Sequence, residues 1–315
     1  MSDLLSESLD TVGTRYPRTS RIMRTILGRS PMLLRNQLTT LVRDRGELFW
    51  PEAERLIALS EDTGHAPADS LIEYTVTYLR EQIRFMRTKE YSQSDFEAAR
   101  RDVYDNPEVM EKFYLDGLML THAFWPIHMD IHRFFRDAFV ARVPDEGVGA
   151  EFGFGHGLYL HDVLEAHPGT RARGYDISEY AKTYAAKLLR QGGIAADRFE
   201  LGFADVREPL PAKTGEFRWA IFAEILEHIP DPLASLRHLR RCMAPGAPVF
   251  VTTVLNTNAI DHLTLFTDVA EVQVMLREAG FAILDERDIV VAEYGDKKDP
   301  SVRVLCVCEP AAAAG

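Results

Sequence analysis

The sequence predicts an α/β fold: a doubly wound, Rossmann-like sheet of seven strands preceded by an all-helical domain. Three features carry that expectation. Across residues 1–145 the apolar residues recur at helical intervals, with no convincing two-residue alternation. Across residues 146–315 short apolar runs alternate with helical segments, the pattern of a parallel sheet covered on both faces. Inside that second half, a glycine-rich turn (Gly153-Phe154-Gly155-His156-Gly157) follows the first strand and opens a helix.

The helical part begins with "PMLLRNQLTTLVRDR" and "DSLIEYTVTYLREQIRFMRTKE", both apolar at three- and four-residue spacing. Ser92 followed by Asp95 reads as a capping box, and Asn106-Pro107-Glu108 as N-cap, first-turn proline and first-turn acid. In "FYLDGLMLTHAFWPIHMDIHRFF", Pro126 should end one helix and start the next. After Pro144 come the runs VGAEF, ARGYDI, FELGFA, RWAIFAEIL and PVFVTTVL as successive strands. AILDERDIVVAEYG and SVRVLCVCEP, around a charged turn at Lys297-Lys298-Asp299-Pro300, read as a hairpin that adds an antiparallel strand. The Ala-rich tail is expected to fray.

Composition narrows the class. The 315 residues are 46% hydrophobic and 27% charged, enough for two cores, one in residues 1–145 and one in 146–315. No run approaches the roughly 20 apolar residues of a membrane span. "MSDLLSESLDTVG" has neither a basic nor an apolar leader region, so a cytoplasmic location is expected. Cys242, Cys306 and Cys308 lack metal-ligand spacing with histidines, and Cys306 and Cys308 should share one strand face as reduced core thiols. A net charge of −12 disfavours nucleic acid and anionic membranes as partners. The basic clusters, Arg15 to Arg24 and Arg237, Arg240 and Arg241, read as solvated faces or salt-bridge partners. A small-molecule partner remains, and the long amphipathic helices permit a homodimer.

The glycine turn suits a nucleotide-derived ligand, because a helix N-terminus behind it offers free N–H groups. The dinucleotide fingerprint fails, since Leu158 stands at the third glycine position, and no Gly-Lys-Ser/Thr follows for a P-loop. Glu151, just before the turn, repels phosphate but suits a cationic amino acid moiety. Asp176 ends the next strand and can accept from both ribose hydroxyls, and Asp205 past the third strand can accept from an adenine amine.

Glu151-Phe-Gly-Phe-Gly-His-Gly157, Tyr175-Asp176-Ile177-Ser178, Ala204-Asp205-Val206 and "FAEILEHIPDP" stand in the order found in class I S-adenosylmethionine-dependent methyltransferases. Residues 147–310 resemble that family, and the last motif resembles its small-molecule, ubiquinone-biosynthesis type. The resemblance implies a seven-stranded methyltransferase sheet and S-adenosyl-L-methionine as cofactor. Glu151, Gly153, Gly155 and Gly157 would lie near the methionine part, Asp176 and Ile177 near the ribose, Asp205 and Val206 near the adenine. Glu224 would stand beside the methyl group.

The acceptor side is read from position. Glu224 and His228 follow the fourth strand, and Asn256, Asn258, Asp261 and His262 follow the fifth, over the carboxyl ends of the strands. His262 is the leading residue for acceptor contact or base, with His228 and Glu224 as the other catalytic candidates. The resemblance further implies that the helical region just before the first strand shapes the acceptor pocket, which would bring in Tyr114, His122, Trp125 and His128. His128 and His132 are spaced i, i+4, but no acidic or cysteine partner matches them, so no metal is expected. The polar loop favours a small polar acceptor, an amino acid or a thioether acid such as methionine, with a loose resemblance to bacterial methionine and thioether S-methyltransferases. Alternatives are an enzyme that cleaves or cyclises the cofactor's aminobutyrate arm, an O-, N- or C-methyltransferase of a natural-product intermediate, and a non-catalytic cofactor-binding module.

Overall fold

The structure, a computed structural model, describes residue 9 and residues 11–29, 32–61, 66–93, 95–291 and 299–312. Lys297 and Lys298 of the expected turn, and the end of the Ala-rich tail, lie outside the described residues.

The first half is helical, as its periodicity predicts. Its main helices are α1 (Pro17–Arg29), α2 (Met32–Ser60), α3 (Pro67–Thr88), α4 (Leu115–Phe124) and α5 (Pro126–Phe134). α2 bends at Arg45, whose backbone leaves helical values (φ −139°, ψ 20°). The Arg45 guanidinium grips both oxygens of Asp130 on α5, at 2.7 and 2.9 Å. Pro126 does separate two helices: Trp125 is extended, and the proline takes the first position of α5, where its missing N–H costs nothing. Asn106 caps its turn by accepting from the Glu108 N–H. Asp95, not Ser92, caps the turn Phe96–Ala99, accepting from the Ala98 N–H, because the helix starts one residue after Asp95 and beyond the reach of Ser92. Between α3 and α4 the chain makes two wide π-helical turns, Arg100–Tyr104 and Met110–Tyr114. Gly117 lets α4 lie against the α3 backbone: a Cβ there would stand 2.6 Å from the Ser70 carbonyl oxygen.

The second half forms one seven-stranded sheet: β1 (Gly147–Phe152), β2 (Thr170–Asp176), β3 (Phe199–Phe203), β4 (Ala220–Ala223), β5 (Val249–Leu255), β6 (Phe281–Val291) and β7 (Ser301–Pro310). Their spatial order is β3-β2-β1-β4-β5-β7-β6, parallel except for β7, which runs antiparallel to both neighbours. The helices α6 (Leu158–Ala166), α7 (Glu179–Gln191), α8 (Pro232–Cys242) and α9 (Val269–Glu278) complete it. Ser178, Asp231 and Asp268 cap α7, α8 and α9 with their side chains. β4 is shorter than its apolar run suggests. Glu224 ends it in the left-handed region (φ 52°), and the chain turns into a 3₁₀ segment, Leu226–His228.

The two faces of the sheet bury different partners. Val304, Cys306 and Cys308 pack with Phe152, Phe222, Leu236 and Leu239 under α8. Leu305 and Val307, on the opposite face of β7, pack with Phe135, Phe139, Tyr159 and Phe250. Cys306 and Cys308 are buried free thiols on one face, as their spacing predicts. The helical segment shares a continuous apolar core with α6 and α7, where Phe49, Leu120 and Phe124 join Leu158, Ala185 and Leu188.

A buried ionic junction fixes the same seam. Asp162 on α6 receives His132 at 2.6 Å, Arg55 at 2.8 Å and Arg136 at 3.0 Å, all from the helical segment or its extension. Burial opposes the Asp162 charge, but His132, His161 and Arg55 hold its pKa well below the usual carboxylate range.

Candidate active site

A cavity of about 220 Å³ lies between the carboxyl ends of the strands and the helical segment. Strand order reverses between β1 and β4, so this is the crevice where open α/β sheets bind ligands. Of the residues expected to hold a cofactor, Glu151, Gly153, Gly155, Asp176, Ile177, Asp205, Val206 and Glu224 all line it.

Each is placed by local geometry. Gly153, Gly155 and Gly157 all take positive φ, which folds the turn back toward β2. The Gly155 N–H then donates to one oxygen of Asp176 at 2.9 Å, and the Ser178 N–H to the other at 2.9 Å. Gly157 is behind the lining rather than in it; a Cβ there would stand 2.8 Å from the Ala185 Cβ on α7. Glu151 is buried, its Oε2 has no hydrogen-bond partner among the described residues, and burial pushes its pKa well up. An ammonium group would satisfy that oxygen and restore the charge, which is the fit the methionine end of S-adenosylmethionine requires. Asp205 accepts from Arg207 through both oxygens, at 3.0 and 2.6 Å, so an adenine amine would use its remaining lone pairs. His156 packs in the turn, its Nδ1 accepting from the Leu158 N–H at 3.1 Å.

The far wall comes from the helical segment and the loops after β4 and β5. Tyr114, His122, Trp125 and His128 line it as expected, together with Tyr74, Tyr78 and Tyr104. The wide turns deliver Tyr104 and Tyr114, a placement that helical spacing does not announce. The Tyr114 hydroxyl donates to Asp261 Oδ2 at 2.8 Å, and Asp261 Oδ1 is buried with no partner among the described residues. Trp125 stacks at an angle against Tyr74, Tyr78 and His128, with ring centroids 5.0–5.9 Å apart. Burial, with Arg303 nearby, lowers the pKa of His128 to about 3, and burial among His156, His128 and His132 holds that of His122 well below its ordinary value. Both are therefore neutral.

His262 and His228 do come together, with ring centroids 4.9 Å apart. His262 Nδ1 lies 2.9 Å from the Thr257 carbonyl and must carry its proton there, leaving Nε2 as the acceptor. Burial, with His228 beside it, lowers its pKa to about 3. His228 is opposed by burial but faces Asp261 and Glu227, and its pKa is raised. Glu227, absent from the sequence expectation, is pushed up to about 8 by burial and by Glu224. Glu224 is held from two sides, its N–H on the Thr252 hydroxyl at 3.0 Å and its Oε1 accepting from that hydroxyl at 2.7 Å.

Asn256 is a correction: it does not line the cavity, because its left-handed backbone (φ 51°) turns the amide onto the Pro300 carbonyl at 3.1 Å. Asn258 likewise serves packing, gripping Glu81 of α3. Neither histidine of the i, i+4 pair acts as a free ligand: His132 is committed to Asp162, and His128 lies 2.6 Å from the Thr121 hydroxyl. Glu227, His228 and His262 do offer three metal-type donors within 4.8 Å of one another, a convergence the chain order hides. Arg303, unmarked in the sequence reading, also lines the cavity. Its signal was available: the one cation within the apolar strand SVRVLCVCEP.

Among the described residues, no helix is long and apolar enough to cross a membrane. Residues 150–249 match the family described as "Methyltransferase domain". The chain is similar to the ubiquinone biosynthesis O-methyltransferase of Pseudomonas aeruginosa (strain UCBPP-PA14), 30% identical over 104 residues, 33% of this chain and 43% of the relative. The protein of that name from Thiobacillus denitrificans is 34% identical over 113 residues, 36% of this chain and 46% of its own length. The chain thus spans under half the length of these relatives. Among solved structures, the [4+2]-cyclase SpnF superposes with a TM-score of 0.48 at 21% identity, over 60% of this chain and 83% of its own. A SAM-dependent methyltransferase from Aquifex aeolicus gives 0.43 at 16% identity, over 56% and 89%. The sheet, the glycine turn with its ordered acids, and the matched residues together make this a chain that carries a class I S-adenosylmethionine-dependent methyltransferase domain.

Proposed function

We propose that this protein transfers a methyl group from S-adenosylmethionine to a small acceptor held between the sheet and the helical segment. The observation that carries the reading is the continuity of the cavity, from Glu151, Gly155 and Asp176 at one end to Tyr78, Trp125 and His128 at the other. Bound S-adenosylmethionine supplies a sulfonium-activated methyl group. Glu151 would accept from the ammonium, Asp176 from the ribose hydroxyls, and the Gly155 and Ser178 N–H groups keep Asp176 oriented. The helical wall excludes water and positions the acceptor, which is most of what an in-line displacement needs.

The charge states favour an acceptor that attacks without first losing a proton, such as a thioether or free amine in an amino-acid-like molecule. His262 is too weak a base at about 3, burial of His228 is outweighed by Asp261 and Glu227 so that its protonated form is favoured, and Glu227 at about 8 is protonated near neutrality. Transfer to a hydroxyl, the reaction in the relatives' names, would ask one of these groups, or Glu224 with its carboxylate held by Thr252, to take a proton. His262 then acts as a hydrogen-bond acceptor through Nε2, and Asp261 Oδ1 is available to an ammonium. Replacing a general base costs about 10²–10⁴-fold in rate, so His262→Gln should stay within about tenfold of the parent turnover number. A larger loss sinks the base-free reading.

Calorimetry tests the cofactor. S-adenosylmethionine should bind, and Asp176→Ala should weaken it by about 10- to 100-fold, the range for hydrogen bonds to a charged group. Unchanged affinity removes Asp176 from the site. Mass spectrometry of turnover should show S-adenosylhomocysteine; methylthioadenosine instead would mean cleavage of the aminobutyrate arm.

A further inference from the structure

Arg303 is on β7, on the face that carries Leu305 and Val307 toward the helical segment. It is 4% exposed, and burying a cation of that size is costly unless it is paired. Its partners are all neutral: the hydroxyls of Thr257 at 3.0 Å, Ser301 at 3.5 Å and Tyr78 at 3.5 Å. Nε has no partner, and no carboxylate oxygen among the described residues lies within 4.0 Å of the guanidinium. Arg45 and Arg55 make the contrast: each of these half-buried guanidiniums is held by a carboxylate in two-pronged fashion. Burial opposes the Arg303 charge, while Glu224 and Glu227 act on it only through space, each raising its pKa. No carboxyl group that shares the cavity fills the vacancy, since Glu224 is turned onto Thr252, Glu227 onto Thr253 and Asp261 onto Tyr114.

We propose that Arg303 anchors a carboxylate of the methyl acceptor, so that the acceptor is a small carboxylic acid; this rests on the methyl-transfer reading above. The guanidinium fork matches two carboxylate oxygens, and its unused Nε–H supplies a donor for one of them. The site calls for a single negative charge. Arg303 is the only Arg or Lys lining the cavity among the described residues, so a phosphate dianion would be left undercompensated. Its hydrogen-bond partners are hydroxyls, and Glu224 and Glu227 stay beyond contact distance, so the guanidinium has no carboxylate in direct contact.

The test uses the full chain with and without S-adenosylhomocysteine. Calorimetric titrations compare 3-(methylthio)propanoate, L-methionine and 4-hydroxybenzoate with their primary amides. At least one acid should bind about 10- to 100-fold more tightly than its amide, as a charge-assisted pair implies. R303M should abolish that preference and R303K, which keeps the charge without the fork, should retain part of it, while both variants keep their affinity for S-adenosylhomocysteine. The inference is overturned if no acid binds, if amides bind as well as acids, or if R303M keeps the preference. Should the acid preference appear while S-adenosylhomocysteine fails to bind the parent chain, the methyl-transfer reading falls and the anchor stands. If R303M does not fold, R303K carries the test: an undiminished acid preference in it counts against the fork.

Discussion

Gly157 combines two constraints that a side chain could not meet. Its φ of +78° is left-handed, and its Cβ would press on Ala185 at 2.8 Å. Gly157→Ala should therefore cost about 1–3 kcal/mol in urea unfolding and weaken S-adenosylmethionine binding, because the turn that carries Gly155 must move. A variant with parent stability and affinity would show that the turn tolerates a Cβ there. Glu224 and Asn256 also hold left-handed backbones, one at the end of β4 and one just past β5. Glu224 lines the cavity from that bend with its carboxylate held by Thr252, whereas Asn256 uses its bend to tie the loop to Pro300. Equal polarity at the two positions hid this difference from the sequence, since composition cannot say which way a loop side chain turns.

At the scale of elements, α6 joins the glycine turn to the helical segment. One end starts at the glycine turn, and its body carries Asp162 into the helical segment. Removing one member of such a buried ionic group leaves the others uncompensated, so Asp162→Ala should cost about 3–5 kcal/mol by denaturant titration. The pH dependence has a defined sign. Glu52, for which burial is outweighed by His132 and Arg55, is lowered to about 2, and Asp162 is lowered as well. Their contribution is complete above the ordinary carboxylate range and is lost as pH falls through the depressed values. His132 is raised, so its contribution is complete below about 6.5 and is lost as pH climbs through its folded value. Stability should thus be greatest between roughly pH 4.5 and 6.5, and Asp162→Asn should flatten that profile. Strands, hairpin and glycine turn were legible because each is written in local spacing: alternation in VGAEF, a helix opening at Leu158, a proline at 126. Asp162 was not, because its partners Arg55 and Arg136 lie 107 and 26 residues away in the chain.

For the molecule as a whole, the cofactor wall was readable and the acceptor wall only in part. Cofactor residues stand at strand ends in a fixed order, so a linear motif carries them. The acceptor wall is assembled from α3, α4, two wide turns, two loops and β7, and no linear pattern joins Tyr78, Tyr104, Asp261 and Arg303. The place of β7 has a further consequence, for the order in which the sheet can form. β6 precedes β7 in the chain, yet among the described residues its one strand neighbour is β7, which itself lies against β5. β6 cannot join the sheet alone; it must wait for a later segment, either as a preformed hairpin or free in solution. Cys306→Pro, at a position paired with both Val251 and Glu286, should therefore release two strands rather than one. Hydrogen exchange would read this directly: β6 amides should lose protection together with those of β7, while β1 and β2 keep theirs. Until that last interior strand docks, the β5 edge, Val249 to Leu255, is an open apolar template. The slowest and most aggregation-exposed moment in this protein's assembly should accordingly be the insertion of the strand that carries Arg303.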